Sequence, residues 1–286
     1  MGNNRFDAAA GSGTAVPELG AADIKQFDED GYLVLPGFLP APLVERTKAE
    51  VDHWVDSGLR ERSIASAVSP EAHGIPPLME LEMEAHGRLL VHPPLLAVLA
   101  QLLGPAFAFH HLHSDRRPPG SPGKDWHHDY EQEPQGERTH VMVHALHYLG
   151  GLNASVGGLA LLPGSHRQTA EKTARAHLGT VEVPGEVFIG ELQPGSTVLI
   201  HSALFHTRRA APRGESRERY MVDSSYVQGG VRWPPAKPYW RHMLGRAREL
   251  GLAGDRWPDL FAEHHFTEYR PAGPASGARQ GPEAGA

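Results

Sequence analysis

Residues 126–130 read Trp126-His127-His128-Asp129-Tyr130, and this His-x-Asp pair is the most informative pattern in the chain. Side chains at positions i and i+2 of a β-strand share a face, so His127 and Asp129 are expected side by side while His128 points away. Two histidines and one carboxylate on one face of an octahedron are the ligand set of non-haem Fe(II) oxygenases. Because the chain has 19 histidines, such a pair also arises by chance, and the interpretation depends on a third ligand elsewhere.

The third ligand is expected on a strand distant in sequence. His206 follows the apolar strand 197–200 and the segment HSALF, and it is the preferred candidate. His201 on the same segment is the alternative, with a packed core histidine as its structural role. Together with the pair at 127 and 129, His206 would complete a site at the mouth of a barrel.

An arginine strand begins at Arg217, 11 residues after His206. If residues 206–217 form a β-hairpin with its tip near 211–212, Arg217 falls opposite His206 on the same face. A guanidinium in that position can bind the far carboxylate of a dicarboxylate cosubstrate through two parallel hydrogen bonds. Arg219, one pair deeper, is the second candidate, and a solvated turn is the structural alternative for the whole arginine cluster.

Composition excludes several classes of protein. The absence of cysteine rules out disulfides, thiolate-bound zinc, iron–sulfur clusters and a cysteine nucleophile. A formal net charge of −7 without a basic run argues against nucleic-acid partners. No apolar run approaches the roughly 18 residues that span a bilayer. We therefore expect a soluble, cytoplasmic protein with a small-molecule substrate and no membrane partner, either a monomer or a homodimer.

The patterning changes along the chain. Residues 1–16 and 271–286 are rich in Gly, Ala and Pro and are predicted to be disordered tails around one domain, 17–270. The first third predicts helices at 21–30, 41–57 and 93–103, with a strand at 31–36. From about residue 105, short alternating segments predict strands at 106–113, 139–149, 158–162, 181–183, 197–201 and 217–227. The expected fold class is mainly β with flanking helices (α+β), with a sandwich or barrel core.

Five segments in this order resemble the phytanoyl-CoA dioxygenase (PhyH-type) family of Fe(II)/2-oxoglutarate-dependent oxygenases. DIKQFDEDGYLVLPGFLPAPLVERTKAEVD is similar to that family's opening helix, Asp-Gly-Tyr, strand and helix, and HPPLLAVLAQLLGP to its helix before the barrel. WHHD stands in the place of its Trp-His-x-Asp motif, GGLALLPGSHR resembles its third motif, and PGSTVLIHSALFHTRRAAPRGESR its closing segment. The resemblance covers nearly the whole chain between the tails. It implies a double-stranded β-helix (jelly-roll, cupin-like) core.

The resemblance also implies a site and a reaction. His127, Asp129 and His206 would bind Fe(II), and Arg217 would bind the C5 carboxylate of 2-oxoglutarate. The implied reaction uses O2 to oxidise an unactivated C–H bond, with hydroxylation as the expected outcome and release of succinate and CO2. Oxidative cyclisation, epimerisation and desaturation at the same iron centre stay open as alternatives. Related halogenases carry Gly or Ala in place of Asp129, so halogenation is not expected.

The sequence departs from the family pattern at Val156-Gly157-Gly158, where Asn-Gly is usual, and at Thr207-Arg208, where small residues are usual. These changes leave the metal ligands intact and affect the surroundings of 2-oxoglutarate. The turn 163–166 is structural in the family, so His166 is not expected to be a ligand. Further candidates, each of which fits a core or surface role equally well, are His111, His113 and His144 for cofactor binding and Trp126, Tyr130 and Trp233 for substrate binding.

Two rival functions remain. One is a barrel metalloenzyme, such as a cupin-like isomerase or dioxygenase, that does not use 2-oxoglutarate and has no need of Arg217. The other is a non-catalytic binding protein that keeps the fold. For an enzyme, a small-to-medium metabolite, such as an intermediate of secondary metabolism, is favoured over an acyl-CoA because no Lys/Arg cluster for the CoA phosphates stands out. Residues 228–269 are expected to pack over the barrel mouth or to form a helical cap.

Overall fold

The computed structural model describes residues 18–131, 135–136, 138–211 and 214–271. Its first third is helical, as predicted. The helices are α1 Ala21–Asp30, α2 Ala41–Asp56, α3 Leu59–Val68, α4 Pro70–His73, α5 Glu84–Leu90, α6 Pro93–Leu103 and, after the strands, α7 Trp240–Glu249. Short 3-10 turns span Glu80–Glu82, Ser165–Arg167, Ala176–Leu178 and Glu263–His265. The predicted tails, apart from residue 271, lie outside the described residues.

The described residues include nine strands: β1 Tyr32–Leu35, β2 Phe107–Arg117, β3 Lys124–His127, β4 Met142–Tyr148, β5 Gly158–Leu161, β6 Val187–Ile189, β7 Ser196–His201, β8 His206–Arg209 and β9 Arg219–Gln228. They form a five-stranded sheet in the order β1-β7-β4-β9-β2 and a four-stranded sheet in the order β3-β8-β5-β6. All strand pairs are antiparallel. Two such sheets with flanking helices confirm the α+β class and the jelly-roll core.

Two predicted features of the strands are wrong. The segment 181–183 is not a strand, because the Glu186 N–H donates to the Val183 carbonyl at 3.2 Å and closes a turn through Pro184-Gly185; the strand β6 begins only afterwards. The hairpin over 206–217 does not form either. β8 pairs with β3 and β5, whereas β9 pairs with β2 and β4 in the other sheet.

The two faces of the five-stranded sheet have different environments. On β2, Leu112 and Ser114 point towards the helices, where Ser114 Oγ lies 2.9 Å from His86 Nε2. The alternate residues His111, His113 and Asp115 line a cavity between the sheets. The helical side buries most of the apolar core, so the polar inner face is available for a site.

The C-terminal segment packs on the helical side of β2 instead of over the cavity. The Phe109 N–H donates to the Leu260 carbonyl at 2.8 Å, and Trp240, Met243 and Leu244 of α7 join the main core. No residue of 228–269 contributes to the cavity wall within the described part of the chain. Among the described helices, none is both long and apolar enough to cross a membrane.

Candidate metal centre

Three side chains converge at one end of the cavity. β3 ends at His127 and β8 begins at His206, and the register of these strands places the two residues opposite each other. Asp129 lies two residues beyond β3, where its N–H donates to the Ser202 carbonyl at 2.7 Å. Asp129 Oδ2 lies 3.3 Å from His206 Nε2, and Oδ1 lies 3.7 Å from His127 Nε2. One nitrogen or oxygen of each side chain lies within 4.8 Å of those of the other two.

Both histidines direct Nε2 towards this centre. His127 Nδ1 lies 2.7 Å from the Asp125 carbonyl, and His206 Nδ1 lies 3.0 Å from the Leu204 carbonyl. Because a carbonyl only accepts hydrogen bonds, each Nδ1 carries the proton and each Nε2 keeps its lone pair. His127 Nε2 is buried and has no hydrogen-bond partner among the described residues. A metal ion is the partner that such a nitrogen lacks.

The protonation states also suit a metal. Burial, aided by the neighbouring His206, lowers the pKa of His127 to about 3, so this imidazole is neutral at ordinary pH. Burial alone would raise the pKa of Asp129, but the close contact with His206 and the neighbouring imidazoles of His144 and His127 outweigh it and hold that pKa well below its usual range. Neutral imidazoles and an ionised carboxylate are the forms that bind divalent metals. The residues present therefore fit an iron ion.

The cavity measures about 380 Å³, and Arg219 lies at its other end. Arg219 is only 4% exposed. Its guanidinium carbon lies 5.3 Å from the centroid of the Tyr148 ring, and its Nη1 reaches the Gly158 carbonyl at 3.5 Å. No carboxylate among the described residues forms an ion pair with it. A buried cation without a counter-ion is costly, so this end of the cavity favours an anion.

The structure corrects the predicted position of Arg217. Its side chain is exposed and contributes nothing to the cavity wall, while its N–H donates to the Ser155 carbonyl at 3.3 Å. β9 begins only at Arg219, and strand alternation then places Arg219, Met221 and Asp223 on the cavity face. Arg219, the second candidate, thus lines the cavity that Arg217 was expected to line.

The other histidines separate into two groups. His111, His113 and His144 line the cavity, as the sequence allowed. His128 donates from Nε2 to the Ala170 carbonyl at 2.8 Å on the far side of the strand, in agreement with its expected orientation. His201 packs on Tyr130 with ring centroids 5.9 Å apart, and it lies outside this cavity as a core histidine.

The three aromatic residues considered for substrate binding lie in the core instead. Trp126, Tyr130 and Trp233 are fully buried, and none lines the cavity. The indole N–H groups of Trp126 and Trp233 donate to the carbonyls of Val181 and Gln228, each at 2.9 Å. Because each ring is enclosed and its polar atom is satisfied by the backbone, these residues stabilise the fold around the site.

Tyr148 and Asp223 are among the residues of the cavity wall that sequence reasoning missed. Both could have been found from strand periodicity. Tyr148 follows His144 by four positions on β4, and Asp223 follows Arg219 by four positions on β9. An even spacing on a strand keeps side chains on one face.

Comparison with known proteins agrees with this architecture. Residues 27–212 match the family model described as phytanoyl-CoA dioxygenase (PhyH). An ectoine dioxygenase of Bordetella parapertussis is 26% identical over 164 residues, which are 55% of this chain and 53% of the relative. The dioxygenase trt7 of Aspergillus terreus is 24% identical over 198 residues, 64% of this chain and 65% of the relative. The chain thus spans between about half and two thirds of the length of these relatives.

Two solved structures share the fold. HygX from Streptomyces hygroscopicus, with nickel and 2-oxoglutarate bound, gives a TM-score of 0.55 at 21% identity over 75% of this chain and 89% of that chain. The epimerase SnoN, in complex with Fe3+, alpha ketoglutarate and nogalamycin RO, gives 0.56 at 19% identity over 75% of this chain and 86% of that chain. The family match covers about two thirds of the sequence and includes His127, Asp129 and His206. This chain belongs to the phytanoyl-CoA dioxygenase (PhyH) family.

Proposed function

We propose that this protein is an Fe(II)- and 2-oxoglutarate-dependent dioxygenase. It hydroxylates an unactivated C–H bond of a small-to-medium metabolite and releases succinate and CO2. The observation that carries the proposal is the buried guanidinium of Arg219, which forms no ion pair with any described residue and lies in the same cavity as His127, Asp129 and His206. A metal site alone fits many enzymes, whereas a metal site facing an anion site fits a chelating dicarboxylate.

The spacing between the two ends suits such a cosubstrate. His206 pairs with Leu161 on β5, and Arg219 contacts Gly158 at the start of the same strand. Three residues of strand correspond to about 10 Å. Leu146, Leu159 and Met221 line the space in between, which matches the methylene groups of 2-oxoglutarate. The far carboxylate would bind Arg219 and the Tyr148 hydroxyl.

Each residue has a defined task in this proposal. His127, Asp129 and His206 would hold Fe(II) and leave one face of the ion for other ligands. Their Nδ1 hydrogen bonds to backbone carbonyls fix the orientation of both imidazole rings. With 2-oxoglutarate and O2, iron in such a site supplies the oxidant for the C–H bond, while the cosubstrate is decarboxylated to succinate. Arg219 and Tyr148 position the cosubstrate for that step.

The proposal is tested by anaerobic titration of the full chain with Fe(II) and then 2-oxoglutarate. We expect a visible charge-transfer band that requires both components, and succinate formation once O2 is admitted. Glutarate, which lacks the keto oxygen, should give no band. A protein that binds Fe(II) but shows neither the band nor succinate would instead favour the 2-oxoglutarate-independent metalloenzyme, and one that binds no Fe(II) would favour the binding protein.

A further inference from the structure

We infer that His111, His113, His144 and Asp223 form a substrate subsite for a hydroxyl- or amine-bearing group, and that the substrate is a polyhydroxylated or aminated metabolite. This inference rests on the proposed function and specifies its substrate class. It excludes lipids, acyl thioesters and substrates that present a carboxylate or phosphate to this part of the cavity.

The four residues lie at the metal end of the cavity. His111 of β2 and His144 of β4 both lie opposite Ser225 of β9, one on each side of it. Asp223 lies opposite His113, so the four residues occupy two adjacent rows of the sheet. Arg219 lies four residues before Asp223 along β9, about 13 Å away. The Asp129 N–H is bonded to Ser202, whose own N–H donates to the Met142 carbonyl at the start of β4. The metal ligands and this subsite therefore share one end, and the cosubstrate anion site occupies the other.

The subsite has polar atoms that the protein leaves unsatisfied. His144 Nδ1 is bonded to both Asp223 carboxylate oxygens, at 2.8 and 3.0 Å. This pair fixes the ring, yet His144 Nε2 is buried without a hydrogen-bond partner in the described chain. His113 lines the same wall and is half-buried, so its ring nitrogens are accessible to a ligand in the cavity. A buried polar atom left without a partner costs about 1–3 kcal/mol, so a ligand that pairs with His144 Nε2 is favoured.

The distribution of charge selects among polar ligands. Four cationic residues line the cavity, and they lie towards the anion site. In the strand register, Arg117 of β2 lies opposite Arg219 of β9, and Lys124 of β3 lies opposite Arg208 of β8. The subsite itself carries the Asp223 carboxylate and no lysine or arginine. Nearby Glu131 is already paired with Lys172 at 2.8 Å. A carboxylate or phosphate would face the Asp223 carboxylate and no lysine or arginine in this part of the wall, whereas a hydroxyl or ammonium group can bond to imidazole and carboxylate.

Apolar substrates are excluded by the same wall. An alkyl chain placed against His113 and His144 would displace water and leave their ring nitrogens unpaired. A site built to hydrogen-bond a hydroxyl or amine rejects the analogue lacking that group by a factor on the order of 10⁴ or more. The oxidised carbon is therefore expected next to a hydroxyl or amine.

The test uses the full chain loaded with Fe(II) and 2-oxoglutarate and three sets of compounds: cyclitols, aminocyclitols and glycosides; fatty acids and acyl thioesters; and hydrocarbon terpenoids. Succinate release is measured in air, and perturbation of the charge-transfer band is measured anaerobically. We expect responses in both readouts from the first set only. Responses from the other sets, or none from the first, would overturn the inference. The charge-transfer band needs only Fe(II) and 2-oxoglutarate and no added compound. If the band forms but no compound of the first set gives a response, the inference about the subsite is wrong while the proposed function is still supported.

Variants test the wall directly. His113→Leu should raise the concentration of the responding compound needed for half of the band change by about 10- to 100-fold. The band should still form without compound, because His113 is neither one of the three proposed metal ligands nor part of the anion site. Tyr220→Phe, on the outward face of β9, is the matched control and should leave both measurements unchanged. An unaltered response in His113→Leu contradicts the subsite.

Discussion

Arg219 lies against Tyr148, with its Nη2 3.5 Å from the phenolic oxygen and its guanidinium carbon 5.3 Å from the ring centroid. Burial lowers the pKa of neighbouring Arg208, and the positive charge of Arg219 lowers it further. Arg208 has its own counter-ion, because its Nη2 lies 2.5 Å from Glu215 Oε1. Arg219 has no such partner in the described chain, and its charge is available for a ligand.

Replacing Arg219 with alanine should weaken 2-oxoglutarate binding. Loss of one partner of a buried, hydrogen-bonded charge pair costs about 2–5 kcal/mol, which corresponds to about 30-fold or more in affinity. Fe(II) binding should not change, because the metal ligands lie at the other end of the cavity. Anaerobic calorimetry with Fe(II) and 2-oxoglutarate measures both effects.

Arg217→Ala is the matched control for that experiment. Arg217 is two residues away and exposed, so its removal should change the affinity for 2-oxoglutarate by less than about fivefold, the upper end of the scale for exposed ion pairs. The reverse result, with a large loss in Arg217→Ala and none in Arg219→Ala, would contradict the assignment of the anion site.

The choice between these two arginines shows where sequence reasoning stops. The spacing between His206 and Arg217 fits a hairpin, but strand pairing depends on which sheet each strand joins. β8 and β9 join different sheets, and that is decided by long-range contacts that no local pattern contains. Alternation along β9 is local, and it would have placed Arg219, Met221 and Asp223 on one face.

Other parts of the site were predictable to different degrees. The structure brings His127, Asp129 and His206 together at the adjoining ends of β3 and β8, two short strands that the sequence analysis did not predict. The ligands themselves were found from the His-x-Asp spacing and from the position of His206 after an apolar strand. Trp126 and Trp233 were considered for substrate binding because large aromatic residues suit both pockets and cores. Only the packing shows that they are enclosed, since a buried indole and a pocket indole have the same sequence pattern.

Asp129→Ala should abolish tight metal binding. Loss of an outer partner of a metal ligand costs about 10–100-fold in affinity, so loss of a ligand itself should exceed about 100-fold. Asp125→Ala is the matched control, because its side chain is exposed and only its backbone carbonyl contacts His127. Equilibrium dialysis with Fe(II) or Co(II) gives the measurement, and equal metal contents in both variants would remove Asp129 from the ligand set.

Gly157→Ala should destabilise the protein. Gly157 has φ +73°, and an added Cβ would lie 2.2 Å from the Arg209 carbonyl and 2.9 Å from Glu215 Oε1. The positive φ alone costs about 1–3 kcal/mol in a residue with a Cβ, and the backbone clash adds to it. In Gly150→Ala the added Cβ meets no atom of the described residues within 4 Å, and this variant serves as control. Urea denaturation should show a lower midpoint for the first variant only; equal midpoints would refute the steric argument. The same steric argument explains why a glycine is needed at position 157, within the segment Val156-Gly157-Gly158 that departs from the family pattern.

Glu80 should make the stability of the protein depend on pH. This carboxyl is buried beneath β2, where it accepts a hydrogen bond from the Ser114 N–H at 2.5 Å. Burial raises its pKa to about 7, despite the opposing charge of Lys237. Between about pH 4.5 and pH 7 the folded protein keeps a proton that the unfolded chain releases. Stability should therefore fall as pH rises through this window, by up to about 1.4 kcal/mol per pH unit from this group.

Glu80→Gln isolates this contribution. The neutral amide can still accept the Ser114 hydrogen bond through its oxygen, but it has no proton to lose. We expect the variant to gain stability relative to the parent protein from pH 5 to pH 7, with a constant difference above pH 8, where both folded and unfolded Glu80 are ionised. Urea denaturation at unit pH steps measures the difference. A difference in unfolding free energy that stays flat from pH 5 to pH 8 would show that Glu80 is ionised in the folded protein, with its charge balanced by Lys237 and Arg60 despite burial.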